Sequence, residues 1–275
     1  AKFRRLKMNN MIHLIGDMGN CKRIDSSLVD KLNREAELEA KLGGKNKKTN
    51  EAVVDSENKQ DNQAPDLNLR GFFYVPSNGI YLAKARSFNS LSWNNAIKEI
   101  YEKGVDIEGH QAEMPTPFEF MSGLIYVLDN ENIQDLPANE RAEFLDDILK
   151  TGNYRGNHLN ARFGEDFIET AEIENGKLVW KKSSIEQCLP KNCYADIRKI
   201  NSQGLFTTES ASQSYAKEEN AYFWKPVSGY VAGFVAGSGW ADLSCGRDPV
   251  VSVASLGVRL VVRPKGDAQN LGGSK

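Results

Sequence analysis

The stretch Pro226–Val262, PVSGYVAGFVAGSGWADLSCGRDPVVSVASLGVRLVV, decides how the rest of the chain is read. It opens with small and apolar residues in near-alternation, the pattern of a half-buried strand. Gly237-Ser238-Gly239-Trp240 then reads as a turn. Its glycines permit close backbone approach, and the large indole is expected to be buried beneath it. A polar, charged segment runs from Ala241 to Asp248. The stretch closes on Gly257-Val258-Arg259-Leu260-Val261-Val262, rich in β-branched residues and expected as a buried strand. The pattern predicts strand, long surface loop, strand. A loop fixed at both ends by a scaffold is where recognition is usually placed.

Upstream of this stretch the chain divides at about Leu67. Residues 45–66 are Lys, Asn, Gln, Asp and Glu with almost no large apolar side chain, as in a linker or surface excursion. Before it, Met11-Ile12-His13-Leu14-Ile15 reads as a short strand, and Ser26 or Ser27 caps a helix running to about Leu42. Residues 1–66 are thus an extension, 67–265 the main domain, and 266–275 a tail. Within the domain, two apolar runs flank Pro76-Ser77-Asn78-Gly79, which predicts a hairpin over 69–84. Ser92 caps a helix that puts Trp93, Ala96, Ile97 and Ile100 on one face. Thr116, Pro117 and Glu119 form a capping box with Pro at the first helical position. A third helix spans 137–150, with Phe144, Leu145, Ile148 and Leu149 inward. Ile168–Ile173 and Leu178–Trp180 pair across Glu174-Asn175-Gly176. The fold class expected is α+β.

The 275 residues carry a net charge of −2, which gives no electrostatic footprint for nucleic acid. No window has the apolar length of a membrane span, and the first residues do not read as a signal peptide. The expected protein is soluble. The three histidines sit in no metal-ligand spacing, and the four cysteines form no CxxC. Cys188 and Cys193 either close a small disulfide loop or remain free thiols. Neither a cofactor nor a metal is expected.

Three pieces, in order, resemble one family. Leu91-Ser92-Trp93-Asn94-Asn95-Ala96 resembles the first helix start of the formylglycine-generating-enzyme-like branch of the C-type lectin fold. Met114-Pro115-Thr116-Pro117-Phe118-Glu119-Phe120 resembles its second helix. Gly237-Ser238-Gly239-Trp240 with Leu256-Gly257-Val258-Arg259-Leu260-Val261 resembles its closing motif. The resemblance covers roughly residues 67–265, with an insertion at about 129–210. It implies a C-type lectin fold. Enzymes of this branch use a copper-bound cysteine pair in the closing loop. Here Cys245 stands alone in that loop, and one thiol cannot make a two-thiolate site. The motifs of calcium-dependent carbohydrate sites are also missing from it. No catalytic residue is assigned.

The closing segment also resembles the variable region of diversity-generating retroelement target proteins, known from phages, bacteria and archaeal viruses and cells. There, template adenines are randomised, mostly at AAY codons, from which Lys, Glu, Gln, Met and Trp are out of reach. Between Pro226 and Ser255 the sequence holds none of these except Trp240. Strands and tight loops also avoid Lys and Glu for their own reasons. The resemblance implies a receptor-type binding protein with a variable region at about 226–256. Its partner would be a protein or cell-surface ligand, in a virion-associated or cell-surface setting. The candidates for the displayed surface are Ala241, Asp242, Leu243, Ser244, Arg247, Asp248, Val250, Val251, Val253, Ala254 and Ser255. Tyr230, Ala232 and Phe234 extend the patch along the preceding strand. The alternatives are a lectin-fold surface or virion module without variability, and a formylglycine-generating-type oxidase.

Overall fold

The computed structural model describes residue 67, residues 69–149, residue 152 and residues 154–264. The strand at Met11–Ile15, the helix from Ser26, the polar stretch 45–66 and the tail 266–275 lie outside the described residues. In chain order the elements are β1 (Phe72–Val75), β2 (Ile80–Ala83), α1 (Trp93–Ile97), a π-helical turn (Lys98–Glu102), β3 (Asp106–Ile107), β4 (His110–Glu113), α2 (Pro117–Asp129), α3 (Ala138–Leu149), β5 (Arg155–Phe163), β6 (Phe167–Glu174), β7 (Lys177–Ser184), β8 (Cys193–Asp196), β9 (Asn220–Trp224), β10 (Val231–Gly237), β11 (Trp240–Arg247), β12 (Leu256–Gly257) and β13 (Val261–Val262). Among the described residues the fold is mixed α+β and mostly sheet, in two open sheets with no barrel.

Local sequence signals account for much of this. The Ser92 hydroxyl accepts from the Asn95 amide and starts α1. At α2 the capping box is complete, with the Glu119 carboxylate accepting from the Thr116 amide at 2.8 Å and Pro117 in the first turn. Gly123 lets α2 settle on β2, because a Cβ there would meet Leu82 at 2.5 Å. The β6–β7 hairpin turns on Asn175 and Gly176, both with positive φ, which suits the right-handed twist of the flanking strands.

The strands form two sheets. The first has the order β1-β2-β13-β4-β3, and the terminal β13 pairs antiparallel with β2 of the opening hairpin. The second runs β7-β6-β5-β10-β11-β9-β8, with β12 parallel to β5. Phe73, Val75, Ile80 and Leu82 of the first sheet share an apolar cluster with α2, α3 and the inner side of the second sheet. Phe72, Tyr81 and Val262 face the opposite way and pack with Trp93, Ala96 and Ile97 of α1. Leu159, Ala161 and Phe163 of β5 are buried beside β10, so the stretch expected as an insertion supplies a central strand of this core. The run 256–262 is buried throughout but is two short strands, one in each sheet.

The crossover between those strands is held by charge. Buried Arg259 donates from Nη1 to the Ala83 and Lys84 carbonyls and from Nη2 to Asp147 on α3. Its guanidinium also lies 4.6 Å from the Phe144 ring centre. Asp147 accepts from Arg86 and Arg155 as well. Burial alone would raise its pKa. The pull of Arg259, with the Arg155 and Arg86 bonds, outweighs that and holds the carboxyl below its ordinary value.

Candidate binding face

β11 decides where the candidate residues point. The segment Ala241–Asp248, expected as a loop, is mostly strand: β10 and β11 form a hairpin with Gly237 opposite Trp240 and Ser238-Gly239 at its tip. Gly239 takes φ +91°, a conformation that suits glycine. Strand alternation then separates β11 by parity. Ala241, Leu243 and Cys245 face the core, where they join Ala232, Phe234 and Ala236 of β10. Phe234 meets Phe120 of α2 at 5.4 Å between ring centres. Ala232, Phe234, Ala241 and Leu243 are therefore core residues and not part of a displayed surface.

Trp240, Asp242 and Ser244 take the outward face. Trp240 is half-buried rather than enclosed in the core. Its indole lies over Gly237, where a Cβ would meet Nε1 at 2.6 Å, and its ring sits 6.0 Å from Tyr154. At the other end of β11, the Arg247 stem lies over Gly233, where a Cβ would meet Cδ at 2.5 Å. Its guanidinium donates to the Tyr154 hydroxyl at 3.0 Å. Trp240, Tyr154 and Arg247 thus roof the strip Gly233–Val235–Gly237, and β10 is buried on both faces. The absence of Lys and Glu from Val231–Gly237 follows from that burial alone.

Across β11 the face opens. Tyr222 of β9 pairs with Asp242, Trp224 with Ser244, and Tyr194 of β8 with Tyr222. Tyr194 and Tyr222 meet edge to face at 5.1 Å, and Tyr222 and Trp224 at 5.2 Å. Trp224 is 44% exposed. Asp242 was expected to be exposed, yet only 8% of it reaches solvent, and its Oδ1 has no hydrogen-bond partner. Burial pushes its carboxyl up to about 7, which the nearby Arg247 charge and a hydrogen bond from the Trp224 side chain only partly offset.

The loop after β11 continues this face. Asp248, Val250, Val251 and Ala254 are exposed, while Val253 and Ser255 are half-buried. Backbone bonds hold it. Pro249 O accepts from the Asn94 amide at 3.1 Å, and Ser255 O from Gly156 at 3.1 Å and from Arg86 at 2.7 Å. Asp248 Oδ1 accepts from Val250 N at 2.9 Å. Tyr230, half-buried, belongs to the turn before β10 and receives Phe163 N on its carbonyl. His158 lies under this region. Burial brings it down to about 4, with Nε2 bonded to the Leu91 carbonyl and Nδ1 unpartnered. Sequence reading missed Tyr154, Tyr194, Tyr222 and Trp224. The alternation in Asn220-Ala221-Tyr222-Phe223-Trp224 was an available signal for β9.

Cys245 is fully enclosed, and burial raises its thiol well above the ordinary value. Cys188 and Cys193 are free thiols. Among the described residues no helix is long and apolar enough to cross a membrane. The chain matches no family model, no curated protein and no solved structure.

Proposed function

We propose that this chain is a ligand-binding protein of C-type-lectin-like architecture. Its binding surface is the outward face of β8, β9 and β11 together with loop 248–255. The observation that carries this reading is the division of β11. One set of alternate residues closes the core, while the other lies beside half-buried Tyr194 and Tyr222 and exposed Trp224, and leads into a loop with exposed valines. Exposed Val250 and Val251 contribute little to folding from where they stand, and they give an apolar contact patch. A loop whose backbone is already ordered also lowers the entropy lost on binding. The pairing of β13 with the opening hairpin and the capped starts of α1 and α2 support the architecture.

The finer reading is that a retroelement diversifies this surface. Sequencing the gene and its neighbours in related isolates tests it. A reverse transcriptase and a near-repeat of the 3′ end differing at adenines are expected. Coding differences should fall on Asp242, Ser244, Arg247, Asp248, Val250, Val251, Val253, Ala254 and Ser255. Differences spread equally over Ala232, Phe234, Ala241 and Leu243 would overturn it. The second reading is a lectin-fold surface module with a constant face. The burial of β10 favours it, because the skewed composition then needs a special cause only in β11 and the loop. No near-repeat and no excess of change at the outward positions would establish it. An oxidase working through Cys245 has the least support, since that thiol faces the core and no substrate reaches it.

A further inference from the structure

We propose that Asp242 and the rings of Tyr194, Tyr222 and Trp224 form a site for a protonated amine, of the kind carried by a lysine side chain. The inference rests on the reading that this face binds ligand, and it names the chemistry bound. Asp242 is the first observation. A carboxylate this deeply buried normally has its lone pairs filled, because leaving one empty costs folding free energy. Here Oδ1 is unpartnered and itself closed off from solvent, on the sheet face that carries Tyr222 and Trp224, so a ligand N–H reaches it by displacing the ring edges above it. Folding gains nothing from that arrangement, whereas a ligand N–H completes it.

The aromatic neighbours are the second observation. The planes of Tyr194 and Tyr222 stand at 84° and those of Tyr222 and Trp224 at 60°. Rings so angled wall a patch rather than stack flat. Aromatic faces attract cations, most strongly when the cation is partly desolvated. Carboxylate and rings together therefore select a positive group with an apolar stem. The empty acceptor adds a condition: the cation must carry an N–H, so a primary ammonium fits better than a quaternary one. Arg247 does not fill the role. Its guanidinium is engaged with Tyr154 and lies over Gly233, on the β10 side of Asp242. Its charge is felt at Asp242 and opposes any cation there, so the carboxylate and the rings must outweigh it.

The test is titration of the full chain with Nα-acetyl-lysine methylamide, followed by the Trp224 indole N–H signal in NMR spectra. Saturable shifts are expected. Tetramethylammonium should bind at least about fivefold more weakly, and the neutral norleucine analogue should not saturate. Asp242→Asn should weaken the lysine amide by about tenfold or more, and Trp224→Ala by about fivefold. Asp242→Asn removes a buried charge, so loss of binding in it is not loss of folding. No saturation by the lysine amide, equal binding of tetramethylammonium, or unchanged affinity in Asp242→Asn overturns the proposal. Such a failure concerns the amine alone. The display reading depends instead on whether the outward residues and the loop are separable from the core.

Discussion

Asp242→Asn will unfold at a higher denaturant concentration than the parent chain at about pH 8, and the advantage will vanish at about pH 4. The cause is the buried carboxyl, which moves from 3.8 to about 7 on folding. A carboxyl raised in the folded state favours folding while it is protonated. That contribution is complete below the unfolded value and is lost as pH rises through the folded one. The loss amounts to about 4 kcal/mol by about pH 8, and asparagine, with nearly the same shape, avoids it. The groups facing Asp242 are Arg247 on its own strand, Tyr222 and Trp224 on β9, Tyr194 on β8 and Val235 on β10. His158 titrates in that range, with the opposite sign. Its folded value is held at about 4, so stability falls as pH drops below the ordinary 6.5. That effect is common to both proteins and cancels in the difference. A difference independent of pH would mean that Asp242 is solvated.

Arg259→Met will lower the unfolding free energy by about 2–5 kcal/mol in urea melts, because two carbonyls lose their donor at about 1–3 kcal/mol each. Arg259 is 1% exposed, and it joins the end of β2, α3 and the crossover from β12 to β13. Methionine fills the space beside Phe144 but leaves the Ala83 and Lys84 carbonyls without their donor. Asp147 retains Arg86 and Arg155, so it is not stranded. Replacing Asp147 by asparagine in the same chain therefore adds less than its single effect, because the two changes share one network. A loss under about 1 kcal/mol for Arg259→Met would show that the crossover is held by packing alone.

The local signals were legible in the sequence. Ser92 and Thr116 satisfy amides within their own first turns, and Asn175-Gly176 supplies its own turn geometry, so neighbouring residues suffice to read them. The Met114–Phe120 box and the inward faces of α1 and α3 follow the same rule. β11 was misread because its alternating Ala241, Leu243 and Cys245 are interrupted by Asp242, Ser244 and Arg247, which looked like a surface loop. Period two was the better guide as far as Cys245; beyond it the register shift opposite Val231 and Gly233 puts Arg247 on the face of Asp242 and Ser244. β10 resisted reading for a different reason. Both its faces are small or apolar, and only the roof of Trp240, Tyr154 and Arg247 explains why the outward one is covered. The aromatic patch was out of reach because Tyr194, Tyr222 and Asp242 become neighbours only through pairing of β8, β9 and β11. No sequence window contains that register.

The separability of the outward surface from the core is measured most directly by a combined variant, Asp248→Asn, Val250→Ser, Val251→Ser and Ala254→Ser, compared with Leu243→Ala in the same urea melts. Asparagine keeps the side-chain oxygen that accepts from Val250 N, and the other three positions are exposed. Loss of about 1 kcal/mol or less with an unchanged slope is predicted for the combined variant, against about 2–5 kcal/mol for Leu243→Ala. A combined variant that loses as much as Leu243→Ala, or that melts without cooperativity, would contradict the assignment of this surface to ligand binding.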